Sequence, residues 1–179
     1  MVEKSEHAGR KLRIEVFLVL LAVAAGLIEN ILPRPVPFVK PGLANIVTVA
    51  AVVKYGMGTA IRINLLRSAG ASLVMGTLAT PSFVLAVSGG LASAMAMGLL
   101  RRLFSVPALS VSGSLASMWI QLLTFSLLFT DFPSKNLFLP ITMWGVAAGT
   151  ITGIMATVLL RRGFPWISGT GVDSAPAEE

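Results

Sequence analysis

Long apolar runs alternate along this chain with short segments that are polar or rich in glycine and proline. A transmembrane helix needs about 20 mainly apolar residues to cross the hydrocarbon core, and most of these runs come close to that length. The pattern therefore predicts six membrane-spanning helices. They cover residues 14–32, 43–53, 57–80, 83–100, 107–129 and 137–160.

The segments outside these runs predict the domain organisation. Residues 1–13 form a polar, basic tail, residues 14–162 the membrane domain, and residues 163–179 a flexible C-terminal tail. Ala22-Val23-Ala24 has the small-residue pattern of a signal-peptide cleavage site, but the apolar run continues past it and further spans follow. We therefore predict an uncleaved first helix. Four prolines between residues 33 and 41 predict a stiff loop, because proline lacks an N–H and restricts its predecessor.

The composition excludes a soluble globular protein. Of the 179 residues, 55% are hydrophobic and 12% charged, whereas soluble domains carry about 25% charged residues. An all-α integral membrane bundle is predicted, because helices satisfy their own backbone hydrogen bonds in lipid. The sequence has no cysteine and a single histidine, His7, in the basic tail. Thiolate chemistry, a histidine-based metal site and a Ser-His-Asp triad are excluded on that ground, and no cofactor or metal is predicted.

The positive charges predict the orientation. Fourteen Lys and Arg against eight Asp and Glu give a net charge of +6, and Lys and Arg concentrate in cytoplasmic loops. With both termini in the cytoplasm, nine basic residues lie inside, three outside and two within a span. The inner ones are Lys4, Arg10, Lys11, Arg13, Lys54, Arg101, Arg102, Arg161 and Arg162, and the outer ones are Arg34, Lys40 and Lys135. No aromatic residues interleave with these charges as in nucleic-acid-binding motifs, so no nucleic-acid partner is predicted.

The second and third spans are the weak points of the six-helix count. The second is short, and the third carries Arg62 and Arg67. If neither segment crossed the membrane, four spans would remain, and both termini would still lie on the same side of the membrane. Six are preferred, because Lys54-Tyr55-Gly56 suits a tight turn and a soluble segment 43–80 would be unusually apolar.

Ionisable residues within membrane spans are costly, and each is a candidate for function. Arg67 lies about 15 Å into the third span at 1.5 Å per residue, whereas the shallower Arg62 can reach the cytoplasmic surface. Glu29 lies in the outer part of the first span. Two interpretations stay open: Glu29 and Arg67 form a buried ion pair, or Arg67 and Asn45 bind an anionic or polar ligand from outside. Gln121 is predicted to hydrogen-bond between helices.

Small residues spaced four apart predict close helix contacts. Gly145, Gly149 and Gly153 form such a stripe in the sixth span, and Ala22 and Gly26 form a shorter one in the first. Stripes of this kind let helix backbones approach closely. Packing inside the bundle is the favoured interpretation, and a docking face for a partner protein is the alternative.

Catalytic motifs are missing. The acidic residues form no cluster with the several oxygen ligands that magnesium requires. No GxxxxGK[ST] loop is present for binding nucleotide phosphates. We therefore predict that the chain is not an enzyme.

Several segments together resemble one known family. Leu27-Ile28-Glu29-Asn30-Ile31-Leu32-Pro33 precedes the proline-rich loop, and Lys40-Pro41-Gly42-Leu43-Ala44-Asn45-Ile46-Val47-Thr48 follows it. Weaker matches are Leu65-Leu66-Arg67-Ser68, Thr80-Pro81-Ser82-Phe83 and Ser88-Gly89-Gly90. The chain resembles the Gx transporters, also called heptaprenyl diphosphate synthase component I, with Asn30 where serine is usual. This family is similar to the S components of energy-coupling-factor (ECF) transporters.

The resemblance implies a six-helix bundle in the bacterial cytoplasmic membrane, with an outward pocket that captures a vitamin-sized molecule. A membrane coupling protein and two cytoplasmic ATPases would drive import, and the first helix would dock on them. The expected ligand-binding residues are Glu29, Asn30, Lys40, Asn45, Arg67 and Ser82. Two alternatives stay open: an accessory membrane subunit of prenyl diphosphate or quinone synthesis, and a solitary carrier coupled to an ion through Glu29.

Overall fold

Six α-helices and no strand make up the part of the chain that the structure, a computed structural model, describes: residues 2–31, 42–129 and 138–161. The predicted number of helices is confirmed. They are α1 (Val2–Ile31), α2 (Leu43–Tyr55), α3 (Met57–Val74), α4 (Pro81–Leu100), α5 (Val106–Phe129) and α6 (Phe138–Arg161).

Two helix boundaries differ from those predicted by more than two residues. Helix α1 begins at Val2, so residues 2–13, which were predicted to form a separate basic tail, belong to the first helix. Helix α3 ends at Val74, six residues before the predicted end, and Gly76 follows with a φ of 67°. Glycine tolerates this left-handed conformation because it lacks a Cβ atom, and the chain turns there. The apolar residues after Val74 therefore belong to a turn, which hydropathy alone does not distinguish from a helix.

Three of the described helices, α4, α5 and α6, are long and apolar enough to cross a membrane. Helix α2 is apolar but has only 13 residues, about 20 Å at 1.5 Å per residue. Helix α3 has 18 residues and carries Arg62 and Arg67. The protein is thus an all-helical membrane protein in which the helices differ in length.

The short helix α2 lies at the centre of the bundle. It contacts each of the other five helices, and those five follow one another around it in the order α1, α3, α4, α5, α6. The residues of α2 that face these neighbours are buried and small or β-branched, among them Val49, Ala51 and Val52. Helix α2 is therefore the element through which the described helices on opposite sides of the bundle are connected.

A single glycine joins α2 to α3. Gly56 has a φ of 89°, and its N–H donates to the carbonyl oxygens of Ala51 and Val52 at 3.1 Å each. A Cβ atom at this position would lie 2.9 Å from Nη1 of Arg101, which follows α4. The tight turn predicted at Lys54-Tyr55-Gly56 is confirmed. We call this end of the bundle, near Gly56 and Arg101, the basic end.

The glycine stripe of α6 packs against α5. A Cβ atom would lie 2.7 Å from Cα of Val111 at Gly149 and 2.6 Å from Cα of Pro107 at Gly153. At Gly145 it would lie 2.8 Å from Sδ of Met118. All three glycines are buried, and their close contacts with α5 agree with packing inside the bundle.

The two residues of the shorter stripe in α1 have different surroundings. Ala22 is fully buried in the core, together with Leu18. Gly26 is only partly buried, and a Cβ atom there would have open space around it. Ala22 and Gly26 therefore differ in environment, because α1 turns its Leu18–Ala22 face inward.

Candidate functional site

The first turn of α2 is the centre of the candidate site. Helix α2 begins at Leu43 after Gly42, which has a φ of 84° and offers no side-chain cap. The first N–H groups of a helix have no partner within the helix and carry a partial positive charge, so they attract anions. Gly42 also lies close to Thr152 of α6, since its Cβ would be 3.4 Å from Cγ2 of Thr152. The positive end of α2 is thus enclosed by the bundle.

Glu29 supplies the missing cap from another helix. Its Oε1 atom accepts a hydrogen bond of 3.1 Å from the N–H of Ala44, and the residue is only 4% exposed. A carboxylate at a helix N-terminus is stabilised by the hydrogen bond and by the helix dipole. Glu29 therefore connects α1 to the first turn of α2.

Arg67 of α3 brings a second charge to this region. Its Nε atom is buried and has no hydrogen-bond partner among the described residues, and neither does Oγ of the adjacent Ser68. The carboxylate of Glu29 attracts the Arg67 guanidinium electrostatically. No nitrogen–oxygen contact within 4.0 Å joins the two side chains, however, and the ion pair found in the described part is Arg62–Glu15 at 2.6 Å. The guanidinium of Arg67 thus keeps unused hydrogen-bonding capacity inside the bundle.

Asn45 is held by hydrogen bonds to two other helices. Its Nδ2 atom donates to Oγ of Ser114 in α5 at 3.3 Å, and its Oδ1 accepts from Oγ of Ser93 in α4 at 3.2 Å. Both ends of the amide are occupied, so in this arrangement Asn45 positions α2 within the bundle. A ligand would have to compete with these bonds to contact it.

A second polar pair anchors α2 one helical turn after Asn45. Nδ2 of Asn64 donates to Oγ1 of Thr48 at 3.2 Å and to the carbonyl oxygen of Ala60 at 3.2 Å. Gly90 of α4 makes room for Asn64, because a Cβ there would lie 3.2 Å from its Oδ1. Since Asn64 precedes Arg67 by one helical turn, this pairing places Arg67 near the level of the first turn of α2.

The bundle extends well beyond the first turn of α2. Helices α5 and α6 have 24 residues each, about 36 Å against about 20 Å for α2. Among the described helices, α2 is the one that contacts both α3 and α6. Other helices therefore continue past Gly42 on the side away from the basic end, and we call the region that they surround there the recess.

The faces that pack on α2 become exposed where they reach the recess. Residues seven or eleven apart share a helix face. On α4, Ser93 is 4% exposed, whereas Ser82 on the same face is exposed. On α3, Val74 shares the face of Arg67 and is 67% exposed. Both faces are thus exposed at the end of the bundle opposite the basic end.

The other predicted ligand-binding residues have different positions. Ser82 lies in the first turn of α4, at the rim of the recess. Asn30 belongs to the last turn of α1, and its side chain lies outside the described part of the structure, as does Lys40. The structure thus brings Glu29, Asn45 and Arg67 to the first turn of α2 and leaves Ser82 at the rim.

Ser93 and Ser114 are the partners that sequence reasoning missed. Both lie in helices rich in small residues, where single serines carry no distinctive signal. The nearest feature in the sequence that could have drawn attention to Ser93 is the Ser88-Gly89-Gly90 segment, which ends three residues before it. Both serines matter because they hydrogen-bond to Asn45, and only the packing of α2 against α4 and α5 reveals these bonds.

These observations define an all-helical membrane protein whose interior holds a cation, a carboxylate and the N-terminus of a short central helix. The profile of the family described as heptaprenyl diphosphate synthase component I matches residues 18–159. The chain belongs to that family, as the sequence resemblance indicated. No curated protein and no solved structure matches it significantly.

Proposed function

We propose that this protein is a substrate-binding subunit, similar to the S component of an ECF transporter, that captures a small anionic molecule in the recess. The unpaired Nε of Arg67 near the first turn of α2 is the observation on which this proposal depends. The recess faces the outside of the bacterial cytoplasmic membrane, and both termini lie in the cytoplasm, in keeping with the basic residues at the opposite end.

The charges near the first turn of α2 favour an anion. Arg67 contributes a full positive charge, and the helix N-terminus about half of one. Glu29 contributes one negative charge, so an excess of positive charge remains for a ligand. Short helices that end inside a membrane protein use their N-termini in this way to hold anionic substrate groups. The planar guanidinium of Arg67 suits a carboxylate or a phosphate, each of which accepts two parallel hydrogen bonds.

Partner proteins would supply the energy for transport. The sequence contains no phosphate-binding GxxxxGK[ST] loop. Two cytoplasmic ATPases would therefore hydrolyse ATP, and a membrane coupling protein would transmit the resulting conformational change to this chain. The chain itself binds and does not catalyse. Purification of the intact chain from its native membrane tests this part, and repeated absence of any ATPase or coupling protein would contradict it.

Arg62 provides a matched control for the binding site. It lies on the same helix as Arg67, but its guanidinium forms an ion pair with Glu15 and its side chain is 55% exposed. We expect native mass spectrometry of the gently solubilised protein to show a retained small anion in the wild type and in Arg62→Leu. Arg67→Leu should lose it, and Arg67→Lys should retain less of it. Equal retention in Arg67→Leu and the wild type would contradict the proposal.

A second candidate function follows from the family description. An accessory subunit of heptaprenyl diphosphate synthesis would bind a diphosphate group, and Arg67 with the first turn of α2 suits that anion as well. Deletion of the protein would then lower the polyprenyl product even when all external nutrients are supplied. Under the import proposal, supplying the transported nutrient at high concentration should restore normal growth and product.

A further inference from the structure

The turn between α4 and α5 carries two arginines at the basic end. Arg101 and Arg102 directly follow Leu100, the last residue of α4, and both side chains are exposed. The carbonyl oxygen of Leu100 accepts hydrogen bonds from the N–H groups of Leu103 and Phe104 at 2.9 Å and 3.1 Å. The backbone of this turn is therefore compact, and both arginine side chains extend from a fixed position.

Arg101 also lies against the turn between α2 and α3. A Cβ atom at Gly56 would lie 2.9 Å from its Nη1 atom. The C-terminus of α2 and the N-terminus of α3 meet at Gly56, and helix ends of these two kinds carry partial charges of opposite sign. Because the two partial charges offset one another, they do not neutralise the guanidinium. Arg101 is thus a full positive charge beside both turns of the basic end.

The described part of the chain supplies no counter-charge to these two arginines. Residues 30–130 contain no aspartate or glutamate. Of the two acidic side chains that the structure describes, Glu15 is paired with Arg62, and Glu29 is bonded to the first turn of α2, at the far end of that helix. The arginine pair therefore suits an anion from outside the described part of the chain.

Exposed apolar side chains lie next to the arginines. Leu103 is 77% exposed and Phe104 48%, and Leu99 in the last turn of α4 is 71% exposed. Helix α4 is long and apolar enough to cross a membrane, so the turn that follows it lies where the hydrocarbon meets the headgroups. At that boundary apolar side chains enter the acyl layer, while arginines reach the phosphates. The turn thus suits a molecule with an anionic head and apolar chains.

We infer that Arg101 and Arg102 bind the phosphate of an anionic phospholipid. Its acyl chains lie along Leu99 and Leu103. The inference goes beyond the proposed function, because it assigns a lipid ligand to the opposite end of the bundle. A planar guanidinium donates two parallel hydrogen bonds to a phosphate, and each basic residue at the cytoplasmic surface adds to the affinity for anionic lipids. Since Arg101 lies beside Gly56, the bound lipid fixes both turns of the basic end.

Two phospholipids with identical acyl chains test this site. The full-length, detergent-solubilised protein is titrated with phosphatidylglycerol, which is anionic, or with phosphatidylcholine, which is zwitterionic. Native mass spectrometry measures the fraction of protein that carries each lipid. We expect the wild type to bind phosphatidylglycerol about 10- to 30-fold more tightly, since each basic residue adds roughly 5-fold to the affinity for an anionic lipid.

Variants separate the arginine pair from the general positive charge. Arg101→Gln combined with Arg102→Gln should abolish the preference, whereas the corresponding lysine pair keeps both charges and should retain most of it. Arg62→Gln is the matched control, because Arg62 is exposed but is paired with Glu15, and this variant should keep the preference. Thermal unfolding shows whether each variant is folded. Should the double glutamine variant not fold, Arg102→Gln alone leaves the contact at Gly56 intact and should lose about 5-fold in affinity.

Glycerol phosphate tests the role of the acyl chains, because it carries a phosphate without them. We expect that an equal concentration of it does not displace phosphatidylglycerol. Displacement at equal concentration would show a site for a soluble anion and overturn the lipid assignment. Equal binding of the two lipids, a preference that persists in the double glutamine variant, or an equal loss in Arg62→Gln would overturn it as well. None of these measurements involves Arg67, so such results leave the proposed function standing.

Discussion

The carboxylate of Glu29, near the end of α1, accepts a hydrogen bond from the backbone N–H of Ala44 in the first turn of α2. The bond joins residues that are 15 positions apart in the sequence. It places a buried negative charge at a helix N-terminus, and this charge also attracts the guanidinium of Arg67. The ionisable residues that hydropathy marks as costly are thus part of one electrostatic arrangement around α2.

Removal of the Glu29 side chain should destabilise the protein through two separable effects. Loss of a helix cap costs about 1–2 kcal/mol, and Arg67 also loses its counter-charge. Glu29→Ala removes both interactions, whereas Glu29→Gln keeps an oxygen acceptor and loses only the charge. We expect thermal unfolding to place Glu29→Gln between the wild type and Glu29→Ala. In an Arg67→Leu background the effect of Glu29→Gln should shrink, and an unchanged effect would contradict the coupling.

The same variant bears on the solitary-carrier alternative. Under that alternative, liposomes containing this chain alone take up substrate, and Glu29→Gln abolishes the ion coupling. The structure assigns the Glu29 carboxylate a hydrogen bond to Ala44. We therefore expect liposomes with the chain alone to show no ion-driven uptake, and uptake that Glu29→Gln abolishes would favour the carrier.

Asn45 should contribute more to stability than either of its hydroxyl partners. Its amide bonds both Ser93 and Ser114, so Asn45→Leu leaves two hydroxyl groups without this partner. Both bonds are partly buried, and the loss of a typical protein hydrogen bond costs about 0.5–1.5 kcal/mol. Ser93→Ala and Ser114→Ala each remove a single bond and should cost less. Unfolding in denaturing detergent measures the three variants, and an Asn45→Leu protein as stable as the wild type would refute the positioning role.

Glycine-to-alanine variants should separate packing positions from open ones. At Gly149 and Gly153 the new Cβ would meet backbone atoms at 2.7 Å and 2.6 Å, so α5 and α6 would have to move apart. At Gly145 it meets the flexible Met118 side chain, so the cost should be smaller. Overpacking of this kind typically costs about 1–3 kcal/mol. Thermal unfolding should rank Gly149→Ala and Gly153→Ala below Gly145→Ala.

Gly26 and Gly58 are the matched controls for this series. Both are helical, and a Cβ atom at either position has nothing within 4 Å. Alanine favours a helix over glycine by up to about 1 kcal/mol, so these two variants should be as stable as the wild type or slightly more stable. Loss of stability in Gly26→Ala equal to that in Gly149→Ala would show that the packing explanation is wrong.

The Arg62–Glu15 pair should contribute little to stability despite its short distance. The two side chains meet at 2.6 Å, but the Arg62 side chain is 55% exposed. Exposed ion pairs typically contribute about 0–1 kcal/mol. Arg62→Leu and Glu15→Gln should therefore unfold close to the wild-type temperature. A large loss in both variants would mean that this pair, rather than the core around α2, holds α1 against α3.

The number of helices and the turn at Gly56 followed from local signals. Prolines, single glycines and polar segments interrupt the apolar runs, and each acts on the backbone where it stands. Arg67 and Glu29 were identified for the same reason, because a charge among apolar residues is conspicuous at any position. The early end of α3 escaped prediction, since the turn after Val74 is as apolar as the helix before it.

The sequence by itself determined an all-helical membrane protein, the turn at Gly56 and the residues that are costly to bury. Only the tertiary structure decided that α2 is central, that Asn45 is bonded to Ser93 and Ser114, and that Gly149 and Gly153 face α5. The physical reason is the solvent. Lipid is as apolar as a protein core, so hydrophobicity does not distinguish a buried helix face from an exposed one. Close packing and hydrogen bonds make that choice, and both depend on residues far apart in the chain.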